Sequence, residues 1–161
     1  MKKKALLVLL MILVLISTTA CNNYLEKSNT TLQDALKFKI EYESFNGKKS
    51  ENFKYREVII PENNPFIYST ADEIVKKIEE NETFFVYFGD PECPWCRSII
   101  EQATKIATEK NIEKIYYVRI WNGFHNEILR DTYELKSGQP ALKNNGTNAY
   151  YKLLKYFDNV L

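Results

Sequence analysis

The apolar positions fall into blocks of different period. Residues 5–16 are apolar without interruption, follow the basic Lys2, Lys3 and Lys4, and lead through the small residues 17–20 to Cys21. That is the layout of a secretory signal peptide over residues 1–20. The run falls short of the roughly 20 apolar residues that a bilayer-crossing helix needs. Residues 31–45 place Leu32, Ala35, Leu36 and Ile40 on one helical face, with Gly47 as the stop. Residues 54–60 read as a strand closed by Pro61, and Asn63-Asn64-Pro65 reads as a loop. Thr70 and Glu73 have capping-box spacing and open a helix with Ile74, Val75 and Ile78 on its apolar stripe, ending near Asn81.

Residues 83–88 are apolar on both sides and rich in aromatics, a pattern that predicts a strand in the middle of a sheet. Ile99, Ile100, Ala103, Ile106 and Ala107 then mark a strong helical face that stops near Asn111, and residues 114–121 form another strand. Ile128 and Leu129 suggest a short helix, and residues 136–139 a turn. Thr147 is placed to cap a last helix with Tyr150, Tyr151, Leu154 and Phe157 on its buried side. After the first helix, strands and helices alternate, as in a mainly parallel α/β sheet.

Composition adds limits. The 161 residues suffice for one domain and a targeting segment. The 45% hydrophobic content marks a globular chain, and a net charge of +1 leaves no electrostatic footprint for nucleic acid. Loss of Lys2, Lys3 and Lys4 with the signal moves that charge by three units to −2. With three cysteines and one histidine, a four-ligand zinc site would need an acidic ligand or a second chain. No metal and no cofactor are therefore expected.

Thr18-Thr19-Ala20-Cys21 resembles a bacterial lipobox, with Thr18 where an aliphatic residue is usual. The resemblance implies lipidation of Cys21, a polar tether over residues 21–30, and attachment to the extracytoplasmic face of the cell membrane. An ordinary signal peptidase cut before Cys21 and an uncleaved anchor are the alternatives. The abundance of Lys, Asn and Ile fits a low-GC Gram-positive bacterium.

The chemistry concentrates in Cys93-Pro94-Trp95-Cys96, at the junction of the strand at 83–88 and the helix that follows. A cysteine at a helix start lies near unpaired N–H groups and the positive end of the dipole, which favour a thiolate. Pro94 suits the first helical position, where its missing N–H is no loss. Cys93 is then the nucleophile, and Cys96, one turn on, the thiol that resolves a mixed disulfide.

The segment from Phe84 to Arg97 resembles the active-site region of the thioredoxin superfamily, most closely the thioredoxin-like lipoproteins and bacteriocin-transport accessory proteins of Gram-positive bacteria. The resemblance covers residues 54–161, with residues 31–53 as an N-terminal helix and linker. It implies a central mixed sheet flanked by helices. Two departures stand out. Pro94-Trp95 is closer to the glutaredoxin style than to the Gly-Pro of thioredoxin, and Tyr87 occupies the place of thioredoxin's buried carboxylate. Asp90 or Glu92 either substitutes for that carboxylate or simply solvates the turn.

The family fold continues, after its third helix, into a strand that opens with a cis-proline and then a final strand and helix. This chain stops at Leu161, where that strand should start. The expectation is a truncated domain whose strand at 83–88 becomes an apolar edge, with poor solubility as a consequence. Gln139-Pro140-Ala141-Leu142 faintly resembles the cis-proline segment; Pro140 is read instead as a turn or edge residue.

Around the motif, Glu92, Pro94, Trp95 and Arg97 are its supporting residues. Arg97 either stabilises the Cys93 thiolate or is a solvated helix residue, and Trp95 either meets clients or packs on the sheet. Trp121 is read as core and His125 as a surface or capping residue. The function implied is thiol–disulfide exchange with client proteins, coupled to an unknown redox partner. The rival readings are a non-catalytic tethered accessory or chaperone-like module with a structural disulfide, and a metal-binding lipoprotein.

Overall fold

The computed structural model describes residues 31–51, 53–122 and 128–158. The signal segment, Cys21, the tether and His125 lie outside them. Among the described residues no helix is long and apolar enough to cross a membrane.

The chain is α/β. Its described part opens with helix α1 (31–43) and continues with β1 (Phe66–Tyr68), α2 (Ala71–Glu79), β2 (Phe85–Gly89), α3 (Pro94–Glu109) and β3 (Ile115–Arg119). It then forms a hairpin of β4 (Thr132–Lys136) and β5 (Gln139–Asn144) and closes with α4 (Asn148–Tyr156). β1, β3 and β2 form a parallel sheet in that order, with Phe66 and Phe85 both in register with Ile115. The expected mixed sheet is thus all parallel, and the antiparallel pair β4–β5 stands apart from it. Pro140 sits in β5 opposite Leu135, on a strand with a single neighbour, where its missing N–H costs no ladder bond.

Side chains alternate across the sheet with the strand period of two. Tyr87, Ile115 and Tyr117 join Phe38, Tyr42, Val58, Ile60, Phe66 and Ile100 on one face. Phe84, Val86, Phe88, Tyr116 and Val118 join Ile74, Val75, Ala149 and Leu153 on the other. So α1 and α3 cover one face and α2 and α4 the opposite one.

Local chemistry accounts for the helix ends. Thr70 and Glu73 make both halves of the capping box: Thr70 N–H donates to Glu73 Oε2 at 2.8 Å and Glu73 N–H to Thr70 Oγ1 at 3.2 Å. Both α2 and α3 end in paired Schellman bonds, with Asn81 and Asn111 left-handed at φ 57° and 53° in place of glycine. The Thr70 N–H and the Ser69 hydroxyl hold the Glu73 carboxyl below its ordinary range. A depressed folded-state pKa contributes stability above the unfolded value and loses it as pH falls through the folded one. Glu73→Ala should therefore cost roughly 0.5–1 kcal/mol at neutral pH, at the low end because the site is exposed. In urea melts the penalty should fade below the usual carboxylate range; a penalty independent of pH contradicts the assignment.

The structure corrects several expectations. Residues 54–60 are not a strand, because side chains take their backbone groups. The Val58 N–H donates to Asn46 Oδ1, the Ile59 N–H to Glu101 Oε1 and the Ile60 N–H to Glu43 Oε1. The first strand is Phe66–Tyr68 instead. α1 buries Ala35, Phe38 and Tyr42 and leaves Leu32, Leu36 and Ile40 exposed, since the aromatic face has the larger area to bury. β2 lies at the edge of its described sheet, as expected for an apolar edge at 83–88 and not in the middle as the two-sided apolar pattern alone suggests, with Phe85 56% exposed. Residues 128–130 form a bend rather than a helix. On α4, Thr147 caps as expected, but Leu153 rather than Leu154 is the fully buried leucine.

Candidate functional site

The site lies past the carboxyl end of β2, where open parallel sheets place their binding crevices. Gly89 ends the strand and Asp90, Pro91 and Glu92 make the turn. The Asp90 carboxylate accepts the Glu92 N–H at 2.9 Å, and the Cys93 N–H donates to the Asp90 carbonyl at 3.2 Å. Cys93 is the N-cap of α3, with extended φ of −72° and ψ of 120°, and Pro94 follows inside the helix start. The Cys93 carbonyl accepts the first helical bond, from the Arg97 N–H at 3.0 Å. The Cys93 side chain makes no capping hydrogen bond.

Both thiols are free and half-buried. Cys96, half-buried in the first turn of α3, neighbours Cys93, the Tyr87 hydroxyl and the Asp90 backbone. Burial pushes the Cys96 thiol up, against the pull of the Tyr87 and Asp90 donors, and the neighbouring Cys93 adds to the rise. The 16-residue α3 aims its N-terminus at this pair, which favours negative charge there by about 0.3–1 kcal/mol. Trp95 is 81% exposed, so its indole faces solvent rather than packing on the sheet.

Asp90 and Glu92 do not solvate the turn. Both are buried, and Arg119 from the end of β3 joins them, with Nε 2.8 Å from Asp90, NH2 3.9 Å from Glu92, and NH1 3.5 Å from Glu41 of α1. Burial raises the Asp90 carboxyl, against the Glu92 N–H and Arg119 that oppose it. For Arg119 burial works the other way, and the Asp90 and Glu41 carboxylates outweigh it and lift its pKa.

Arg97 is not a solvated helix residue either: it is fully buried. Nε donates to the Arg56 carbonyl at 2.8 Å, and NH1 to the carbonyls of Tyr42 at 2.7 Å and Pro91 at 3.1 Å. NH2 donates to Asn46 Oδ1 at 2.7 Å and again to Arg56. These contacts engage all five guanidinium donors, so none is left for a thiolate. Burial draws its pKa down. Arg97 thus ties the dithiol turn to the end of α1 and to the 54–60 segment.

Beside the turn lies an open groove of about 670 Å³, walled by Phe45, Phe53, Tyr55, Trp121 and Pro94 with Glu92 at its edge. Trp121, read from the sequence as core, therefore lines a groove. Sequence reasoning passed over Arg119, Tyr42 and Asn46. Arg119 did leave a signal, as a charge ending an otherwise apolar strand at the level of the dithiol. Tyr42 and Asn46 left none.

Comparison with known proteins adds no relative: no family model matches the chain, and neither a curated protein nor a solved structure does.

Proposed function

We propose that this chain is a thioredoxin-like thiol–disulfide oxidoreductase, lipid-anchored through Cys21 on the extracytoplasmic side of the cell membrane, acting on client proteins through Cys93 and Cys96. The observation that carries the reading is the placement of two free thiols at the start of α3, Cys93 at the cap and Cys96 half-buried one turn on. In the exchange, the Cys93 thiolate attacks a client disulfide, forming a Cys93–client bond and expelling the second client sulfur as a thiolate. The Cys96 thiolate then attacks Cys93 Sγ. The Cys93–Cys96 disulfide forms, and the first client sulfur leaves with the electron pair. Two electrons pass from the dithiol to the client; the reverse sequence oxidises a client dithiol.

The aromatic groove and the exposed Trp95 flank Cys93 and supply apolar surface on which an extended client segment can lie. The test is to poise the full chain in glutathione buffers, trap with iodoacetamide and weigh it. Reversible interconversion of a dithiol and a Cys93–Cys96 disulfide, with transfer to a disulfide-bonded protein, is the expected result. A pair that stays in one state across the range sinks the reading and leaves the non-catalytic accessory module in its place.

A further inference from the structure

Tyr87 occupies the inner face of β2, toward α1 and α3, and its ring is boxed by aromatics. It stacks on Tyr117 at 5.8 Å and meets Phe66 edge-on at 5.7 Å. The tip of the ring leans along the strand over Gly89. A Cβ on Gly89 would sit 2.6 Å from the tyrosine Cζ and 2.7 Å from its hydroxyl oxygen. Gly89 has no positive φ, so space alone requires glycine here: any other residue would push the hydroxyl off its line. That line runs to the Tyr42 hydroxyl at 3.1 Å, with the Cys96 sulfur as the neighbour on its other side.

We infer that the Tyr87 hydroxyl is the hydrogen-bond donor that supports Cys96 as a thiolate while it resolves a mixed disulfide, with Tyr42 and Gly89 as the residues that position it. The inference rests on the exchange reading above. Burial raises the pKa of both tyrosines far beyond neutrality, so each keeps its proton and serves as a donor, never as a base. With the Tyr87 proton directed at sulfur, its oxygen accepts from Tyr42, and the chain of donors runs Tyr42, Tyr87, Cys96.

The other titratable groups around Cys96 are Cys93 in the same turn, Asp90 before it and Tyr117 behind Tyr87. The Asp90 carboxylate is taken by Arg119 and the Glu92 N–H, and what reaches Cys96 from Asp90 is its backbone. With the Asp90 carboxylate so engaged, the Cys96 proton leaves to solvent. Tyr87 then compensates the charge left on sulfur. The thiolate attacks Cys93 Sγ, the Cys93–client bond breaks, and the departing client sulfur takes a proton from water.

Ellman's reagent tests this in the full chain. It forms a thionitrobenzoate adduct on Cys93 and releases one thionitrobenzoate anion; resolution by Cys96 releases a second. In Tyr87→Phe the pH midpoint of the second release should move up by about one unit, with about a tenfold slower release below the midpoint. The plateau rate at high pH and the first release should not change, an outcome that a merely structural role does not produce. Tyr42→Phe should shift the midpoint in the same direction and by less. In a Cys93→Ser background, the ultraviolet absorbance of the Cys96 thiolate should report the same Tyr87→Phe shift without any exchange. An unmoved midpoint in both assays overturns the donor assignment while leaving exchange intact. A moved midpoint in a protein that transfers no disulfide to any protein client overturns the exchange reading and keeps the donor.

Discussion

Cys93→Ser should abolish disulfide exchange with a protein client, a loss of about 10³-fold or more, because a hydroxyl ionises too weakly to replace a thiolate as nucleophile. Cys96→Ser should behave differently. It keeps the cap sulfur of α3 and removes only the thiol that completes the reaction, so the first attack proceeds and the mixed disulfide accumulates. On a non-reducing gel the Cys96→Ser chain should carry a client-sized adduct that thiol reductant removes, and the Cys93→Ser chain should carry none. Adducts on Cys93→Ser but not on Cys96→Ser would invert the roles. The asymmetry comes from position: Cys93 stands at the cap of α3, whereas Cys96 lies inside its first turn, where burial makes its proton harder to lose.

The second large effect belongs to Arg97. Arg97→Leu keeps apolar bulk but strips donors from the carbonyls of Tyr42, Arg56 and Pro91 and from Asn46 Oδ1. A buried acceptor left unpaired costs about 1–3 kcal/mol; Asn46 Oδ1 keeps the Val58 N–H, and because the acceptors share one donor their penalties do not add in full. A net loss of about 3–5 kcal/mol follows, by analogy with other broken buried charge networks. For a domain of this size that is a fall in Tm on the order of 10–20 °C. Arg97→Lys should fall between the two, since a point charge cannot reach acceptors spread over three segments. A Tm for Arg97→Leu within a degree or two of the parent would show that the guanidinium contacts are dispensable. The chemistry should suffer with the fold, because the Pro91 carbonyl belongs to the turn that presents Cys93.

Much of this architecture was legible without coordinates wherever the cause is local. The capping box of α2 needs only Thr70 and Glu73 three positions apart, and Cys93 and Pro94 announce the start of α3 in the same way. Asn81 and Asn111 were readable as stops for a related reason: asparagine tolerates the left-handed residue that closes a helix. The misreadings have a common origin. Residues 54–60 carry the aromatic and β-branched residues of a strand, yet their hydrogen bonds go to Asn46, Glu43 and Glu101, side chains that no periodicity connects to them. The apolar stripe of α1 lost to Phe38 and Tyr42 because the sheet offered an aromatic pocket, with Phe38 stacked on Phe66 at 4.2 Å.

What the sequence by itself determined is the dithiol, its place between strand and helix, the ends of the helices and the alternation that makes the sheet parallel. These follow from spacings of a few residues, where the backbone enforces the geometry. Only the tertiary structure decided that Arg97 is buried, that Asp90 and Glu92 converge on Arg119, and that Tyr87 reaches Cys96. Those contacts join residues as far apart as Tyr42 and Arg97, 55 positions along the chain. Burial and charge, not local spacing, select them: once water is excluded, every donor and carboxylate near the two sulfurs must find its partner inside.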